Sequence, residues 1–202
     1  MPTKTFMNLS KEKRLRILKA AKKEFSRVPL DKAIIANIVK DAKIPRGSFY
    51  QYFESIEDLF VYLIEYMYGV DKKKFIRCMQ ETNGDFYEAL KLNFSNFIDR
   101  LKVEENKQFR INTLSTLLTC KNDLSRADII STINKVDDFI DPEALPIEVK
   151  NKKGVAKVLD IIKMIGKQCT EKFISNSTDA DEIKHNYNQY IDIVKTGFSN
   201  TI

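Results

Sequence analysis

KDAKIPRGSFYQYFESIEDL, Lys40 to Leu59, is the stretch that decides the fold. Ile44, Phe49 and Phe53 are apolar at a spacing that turns them to one side of a short helix. Arg46, Ser48, Tyr50, Gln51 and Tyr52 fill the other side with donors suited to phosphates and base edges. Pro45 suits a first helical position, where its missing N–H costs nothing. Gly47 removes a side chain one turn in, where a sugar-phosphate strand would have to come close. A short amphipathic helix with a glycine in it would fit the same residues in any all-α protein.

The segments before it favour the groove-reading version. Ser10 can serve as the N-cap of a helix that carries Ile17, Leu18, Ala21 and Phe25 at helical spacing. Val28-Pro29-Leu30-Asp31 breaks that helix, and Asp31 can cap the next. Ile34, Ile35, Ile38 and Val39 then form a second short apolar stripe, ending near Lys40-Asp41. Three short helices, the last two joined by a tight turn, make a helix-turn-helix unit.

Over Ile17 to Leu59 the chain resembles the TetR (tetracycline repressor-like) family of bacterial transcriptional regulators. The residues that carry the resemblance are ILKAAKKEF in the first helix, Ile38 in the second and IPRGSFYQYFESIEDL through the third into a fourth. Three positions depart from that family's pattern. Pro29-Leu30 stands where a glycine and an aromatic are usual, Ala33-Ile34 where a Thr/Ser pair opens the second helix, and Ile56 where a lysine is usual. Each departure would weaken sequence-independent affinity for DNA, and none removes the reading helix.

Charge distribution agrees with the helix-turn-helix reading. Residues 1–55 hold thirteen Lys/Arg against five Asp/Glu, a net of +8. The whole chain is +6, so residues 56–202 come to −2. A merely solvated basic surface does not predict that asymmetry, whereas phosphate neutralisation does. Lys4 and its neighbours are expected to form a mobile arm reaching the DNA backbone.

The chain is long enough for one large or two small domains. No apolar stretch approaches the roughly 20 residues of a membrane helix, and the first residues lack the apolar core of a secretory signal. Cys78, Cys120 and Cys169 lack metal-ligand spacing, and their odd number fits reduced thiols in a cytoplasm. His185 is the only histidine, which excludes paired-histidine metal sites and catalysis. No Gly-rich phosphate loop, G-x-S-x-G or CxxC is present. Asp137-Asp138 and Glu104-Glu105 are sequence neighbours that diverge on a helix. The expectation is a non-enzymatic protein with neither metal nor cofactor.

Sparse glycine favours helices throughout. A fourth helix is expected from Ser55 to about Lys72, with Ser55 and Asp58 as a short capping box and Leu59, Phe60, Leu63, Ile64 and Met67 buried. Further helices are expected at 73–81, 85–102, 105–121, 125–140, 154–175 and 179–199, with a loop over 141–154. Division at residue 55 gives a DNA-binding domain over 1–55 and a helical effector-binding and dimerisation domain over 56–202. The fold class is all-α, with about nine helices.

The TetR resemblance implies a homodimer on a palindromic double-stranded operator, built by packing the terminal helix pair against its mate. Val158, Ile162, Ile165, Cys169, Tyr187, Tyr190, Ile191 and Val194 are the expected interface. It also implies a small effector, apolar or amphipathic, in a cavity among the central helices, for which Phe94, Phe97, Leu114, Leu117, Ile133 and Ile161 are candidate lining. Pro45, Arg46, Gly47, Ser48, Tyr50, Gln51 and Tyr52 are the expected DNA contacts. The competing expectation, prompted by Ile56 and Ala33, is a scaffold of the same fold that has lost tight DNA binding and acts through a protein partner.

Overall fold

The computed structural model describes residues 2–120, 127–134, 140, 145 and 154–199, without the side chains of Cys120, Asp128, Ile133, Asn134, Phe198 and Ser199. Among these residues all regular structure is helical, as expected. The elements are α1 (Lys4–Met7), α2 (Lys11–Arg27), a single 3-10 turn (Leu30–Lys32), α3 (Ile35–Asp41), α4 (Arg46–Tyr52), α5 (Ile56–Glu81) and α6 (Phe86–Leu101). They continue as α7 (Glu104–Cys120), α8 (Ala127–Asn134), α9 (Val155–Ile174) and α10 (Ala180–Ser199). The expected helix over 125–140 is described only at 127–134, and most of the expected 141–154 loop lies outside the described residues.

Helix ends follow local chemistry where a capping residue is at hand. Ser10 caps α2 by accepting from the Lys13 amide, and Asp85 caps α6 by accepting from the amides of Tyr87 and Glu88. Ser55 accepts from the Asp58 amide at 3.2 Å, and the Asp58 carboxylate accepts in return from the amide of Glu54 at 3.4 Å. That is the expected capping box, with its return bond one residue earlier. The expected break near Lys72 does not occur. No Gly, Pro or capping residue stands between Asp71 and Glu81, and the Lys74 ammonium pairs with Asp71 at 2.7 Å across the expected break, so one helix runs from Ile56 to Glu81.

The chain forms two compact units, one from Met1–Met67 with Val103–Val136, the other from Tyr68–Lys102 with Asp137–Ile202. In the first, α2 lies against α3 and α7. Ile17, Ala21, Phe25, Ile38, Phe49, Phe53 and Leu59 are wholly or almost wholly buried in its core. Phe60 meets Phe25 edge-on at 5.0 Å, so Leu59 and Phe60 do pack against the helix-turn-helix. Helix α7 holds the connection that departs from the family pattern. The Asn112 amide donates to the carbonyls of Phe25 and Ser26, each at 2.9 Å, and the Leu30 amide donates to the Thr116 hydroxyl at 3.3 Å. Leu30 itself is buried, filling the place of an aromatic.

In the second unit α10 packs against both α6 and α9. Phe75, Phe86, Leu90, Phe94, Ile98, Ile162, Ile183, Tyr187 and Ile191 form its core. Lys91 pairs with Asp192 at 2.6 Å and Lys184 with Asp99 at 2.7 Å, joining α6 to α10.

Candidate nucleic-acid interface

Helices α3 and α4 are joined by Ala42, Lys43 and Ile44. Ala42 and Ile44 are buried and pin the turn to the core. Pro45 is the extended N-cap of α4 rather than its expected first residue, and its carbonyl accepts from the Ser48 amide at 3.0 Å. Phe49 and Phe53 are fully buried, as their spacing requires. Arg46, Gly47, Tyr50 and Gln51 are exposed and Ser48 half-buried, so five of the expected contacts share one outward side. Pro45 is exposed just before them. A Cβ on Gly47 would meet no protein atom within 4 Å, so no internal packing demands glycine there.

Tyr52 corrects the expected facing. It is only 4% exposed, because it stands three residues beyond Phe49 and therefore on the same inner side. Its ring packs near Phe6 at 6.1 Å, and the Lys13 ammonium lies 5.7 Å from its centroid. The expected mobile arm is corrected for a related reason. Thr3 donates its amide to the Tyr52 carbonyl at 3.0 Å and its hydroxyl to the Gln51 carbonyl at 2.6 Å. Helix α1 follows, and its Phe6 is fully buried, 4.7 Å from the Phe53 ring and edge-on to Tyr62 at 5.3 Å. The N-terminal segment thus caps the carbonyl end of the outward helix.

The start of α3 is capped from a distance as well. Its N-cap Ile34 has no oxygen to offer, and Asp31 sits in the 3-10 turn rather than at the cap. Glu24 of α2 takes over. Its buried carboxylate accepts from the Ile34 amide at 2.8 Å and from the Asn37 side-chain amide at 3.1 and 3.2 Å. Arg27 completes the shell with bonds of 2.9 and 2.6 Å. Burial pushes the Glu24 carboxyl up, but the Arg27 hydrogen bond, the Ile34 amide, Asn37 and the Arg27 charge outweigh it and hold the group below its ordinary range. Nothing local to Ile34 signals this cap, because its donor and acceptor stand ten residues apart.

The cationic excess is outward. Lys4, Lys11, Arg16, Lys19, Lys32, Lys40, Lys43 and Arg46 are exposed. Lys23 pairs with Asp41 at 2.7 Å, and the Asp41 hydrogen bond and charge push the lysine up.

The residues expected to line an effector cavity divide between the two units. Leu114 and Leu117 are half-buried on α7, in the first unit. Phe94 is buried and Phe97 half-buried on α6, in the second. The Phe94 ring stacks on Tyr187 at 3.8 Å. Ile161 is 47% exposed, a surface residue rather than a lining one. The Ile133 side chain lies outside the described residues.

The expected dimer face also needs correction. Ile162, Cys169, Tyr187 and Ile191 are fully or almost fully buried inside their own unit, because they belong to the core in which α10 packs on both α6 and α9. Val158, Ile165 and Val194 are half-buried, and Tyr190 is 38% exposed. The side chains left outward are Ile161 and Met164 on α9 and Tyr190 and Ile193 on α10, at 47%, 71%, 38% and 68% exposure. Helices apolar on more than one side do not disclose which side is inward.

Comparison with known proteins follows these two parts of the chain. The family model described as "Bacterial regulatory proteins, tetR family" matches residues 17–63, and "Tetracyclin repressor-like, C-terminal domain" matches residues 85–198. No curated protein matches the chain. Among solved structures, a TetR-family transcriptional regulator from Rhodococcus sp. is similar over 92% of this chain and 99% of its own, with TM-score 0.72 and 14% identity. The transcriptional regulator FadR from Bacillus subtilis, solved with stearoyl-CoA, is similar over 88% of this chain and 96% of its own, with TM-score 0.64 and 20% identity. A TetR-family regulator from Chloroflexus aurantiacus covers 98% of both chains, with TM-score 0.51 and 23% identity. At these identities the structures speak for the fold alone. The second family model by itself spans more than half of the chain and the first coincides with the helix-turn-helix, so this protein belongs to the TetR family of DNA-binding transcriptional regulators.

Proposed function

We propose that the protein is a homodimeric repressor, acting in the cytoplasm, that holds a palindromic operator and leaves it when a small molecule binds. The observation that carries the DNA half is the outward row Arg46, Gly47, Ser48, Tyr50 and Gln51 on a helix whose other side is buried in the core. In this reading Arg46 grips a guanine edge or a phosphate, and Gln51 reads an adenine through its amide. Residues 1–55 serve the DNA and residues 56–202 the effector and the second copy.

One reading helix covers about half a site, so two copies must present theirs ~34–36 Å apart. The outward apolar residues Ile161, Met164, Tyr190 and Ile193, flanked by half-buried Val158, Ile165 and Val194, are the surface that suits a second copy. Among the described residues no helix is long and apolar enough to cross a membrane. The ligand of the FadR relative supports an amphipathic acyl compound as the first effector class to try, with Phe94 and Phe97 of the second unit kept as candidate contacts. Release then requires that the ligand bind the DNA-incompetent state better than the competent one.

The test is a gel shift with duplexes selected by the protein from a random library, at two salt concentrations, with and without stearoyl-CoA. The expected result is a band that weakens steeply with salt. Release by the ligand would support the effector class. No shifted band at either salt from a protein that still dimerises would overturn the reading in favour of the partner-binding scaffold.

A further inference from the structure

Among the described residues three helices end in the same way, and one of them ends on an unexpected residue. After α5 the Asn83 amide donates to Gln80 at 3.2 Å and the Gly84 amide to Met79 at 2.8 Å. After α9 the Asn176 amide donates to Phe173 at 3.1 Å and the Ser177 amide to Lys172 at 3.2 Å. After α3 the Lys43 amide donates to Lys40 at 3.1 Å and the Ile44 amide to Val39 at 3.0 Å. Each is the paired-bond Schellman end, which needs a left-handed residue just past the helix. Asn83 and Asn176 take it with φ of 52° and 55°, and asparagine is among the few residue types that tolerate it. Lys43 takes it with φ of 52° and has no such excuse.

Nothing inside the protein repays a lysine at this place. Its side chain is exposed and makes no ion pair among the described residues. Val39 and Ile44, buried on either side of the turn, supply the apolar contact the motif uses, and they would do so equally around an asparagine or a glycine. Residues held in such sparsely populated conformations by the structure around them, as Lys43 is by the two turn bonds and the buried Val39 and Ile44, cluster at functional sites. This one lies inside the helix-turn-helix, two residues before Pro45 and three before Arg46, in the quarter of the chain that holds the cationic excess.

We infer that Lys43 contacts a DNA phosphate beside the reading helix, and that this contact keeps a lysine at a turn position whose backbone favours asparagine or glycine. The inference rests on the DNA-binding reading above. It makes stability and affinity move in opposite directions, which no structural role for the side chain would do.

The experiment measures dissociation constants by fluorescence anisotropy at several salt concentrations, on a duplex selected by the wild-type protein, together with melting temperatures. The variants are Lys43→Asn, Lys43→Gly and Lys43→Arg. Lys43→Asn should melt at or above the wild-type temperature while binding more weakly. Its salt slope should be shallower by about 0.9 for each lost phosphate contact, roughly 1.8 for two copies on one site. That corresponds to about an eightfold weaker affinity per contact between 1 M and 0.1 M salt. Lys43→Gly should behave in the same way, and Lys43→Arg should keep the wild-type slope. An unchanged slope in Lys43→Asn, or an equal loss of slope in Lys43→Arg, would overturn the assignment of Lys43 alone. A wild-type protein that captures no duplex would sink the DNA-binding reading and this inference with it.

Discussion

The helix-turn-helix and the α9–α10 surface treat apolar side chains in opposite ways. In the first, Phe6, Phe25, Phe49, Phe53 and Phe60 are all within 1% of complete burial, and the outward row on α4 is polar but for Tyr50. In the second, a buried row of Ile162, Cys169, Tyr187 and Ile191 is backed by an outward row that includes Met164 and Ile193. A surface built to meet phosphates stays wet and charged when it is empty. A surface built to meet protein leaves side chains in water that gain from being covered, at about 25 cal/mol per Å² of apolar area. On the proposed reading, that difference gives the first face to DNA and the second to another copy of the chain.

Phe6→Ala should give the largest effect. It empties a fully buried site among Phe53, Tyr62 and Tyr52 at the carbonyl end of α4, and such truncations cost about 3–5 kcal/mol. DNA affinity should fall with it, read by anisotropy, while the copy-to-copy contact survives, read by sedimentation. If dimerisation failed as well, the two faces would not be independent and the contrast would break.

Ile193→Glu should do the converse. The side chain is largely exposed in a single chain, so the fold should be intact by circular dichroism, whereas a carboxylate in a covered apolar face is costly. A rise of about a hundredfold in the dimer dissociation constant corresponds to roughly 2.8 kcal/mol. Ile162→Glu, about half a turn around the helix from Met164's outward side, should instead unfold its unit, since Ile162 is fully buried. An Ile193→Glu protein that stays dimeric would show that the outward row is not where a second copy docks.

Glu24 gives an intermediate effect with a pH signature. The folded protein holds its carboxyl below the ordinary range, so the unfolded chain binds the proton more readily. Its contribution is complete above the unfolded value of about 4.3 and is lost as pH falls through the folded value. Glu24→Gln should therefore flatten part of the acid limb of stability, at a cost near neutrality of about 1–2 kcal/mol for a weakened cap and ion pair. A wild-type acid limb in the variant would mean that other carboxylates, such as Asp85 with its two amide bonds, dominate that limb.

How much of this was legible in the chain depends on the distance between the residues involved. Ser10, Ser55 with Asp58, and the Phe49–Phe53 inner side were readable because donor and acceptor lie within one turn of each other. The caps that Glu24 and Thr3 place on α3 and α4 were not, because they join residues 10 and 48 positions apart. The Tyr52 hydroxyl suits an outward donor, yet its spacing from Phe49 puts the side chain inward. Lys43 carried no signal at all, since its left-handed turn becomes visible only in the backbone.

The smallest effect sharpens the contrast from inside the second unit. Among the described residues the fully buried Tyr187 hydroxyl has no hydrogen-bond partner, and neither has the buried side-chain oxygen of Asn93 on the facing helix α6. Burial pushes that phenol far up, and the Cys169 thiol adds to it. An unpaired buried hydroxyl costs about 1–3 kcal/mol, so replacing it by hydrogen should help rather than harm. Tyr187→Phe keeps the ring stacked on Phe94 at 3.8 Å and removes only the oxygen. The expected outcome is a gain of about 1 kcal/mol, or ~2–4 °C in melting temperature for a chain of this size. A loss instead would mean that the hydroxyl is satisfied in solution by a bound molecule, which would make this core, unlike the aromatic core beneath α4, a place built to receive one.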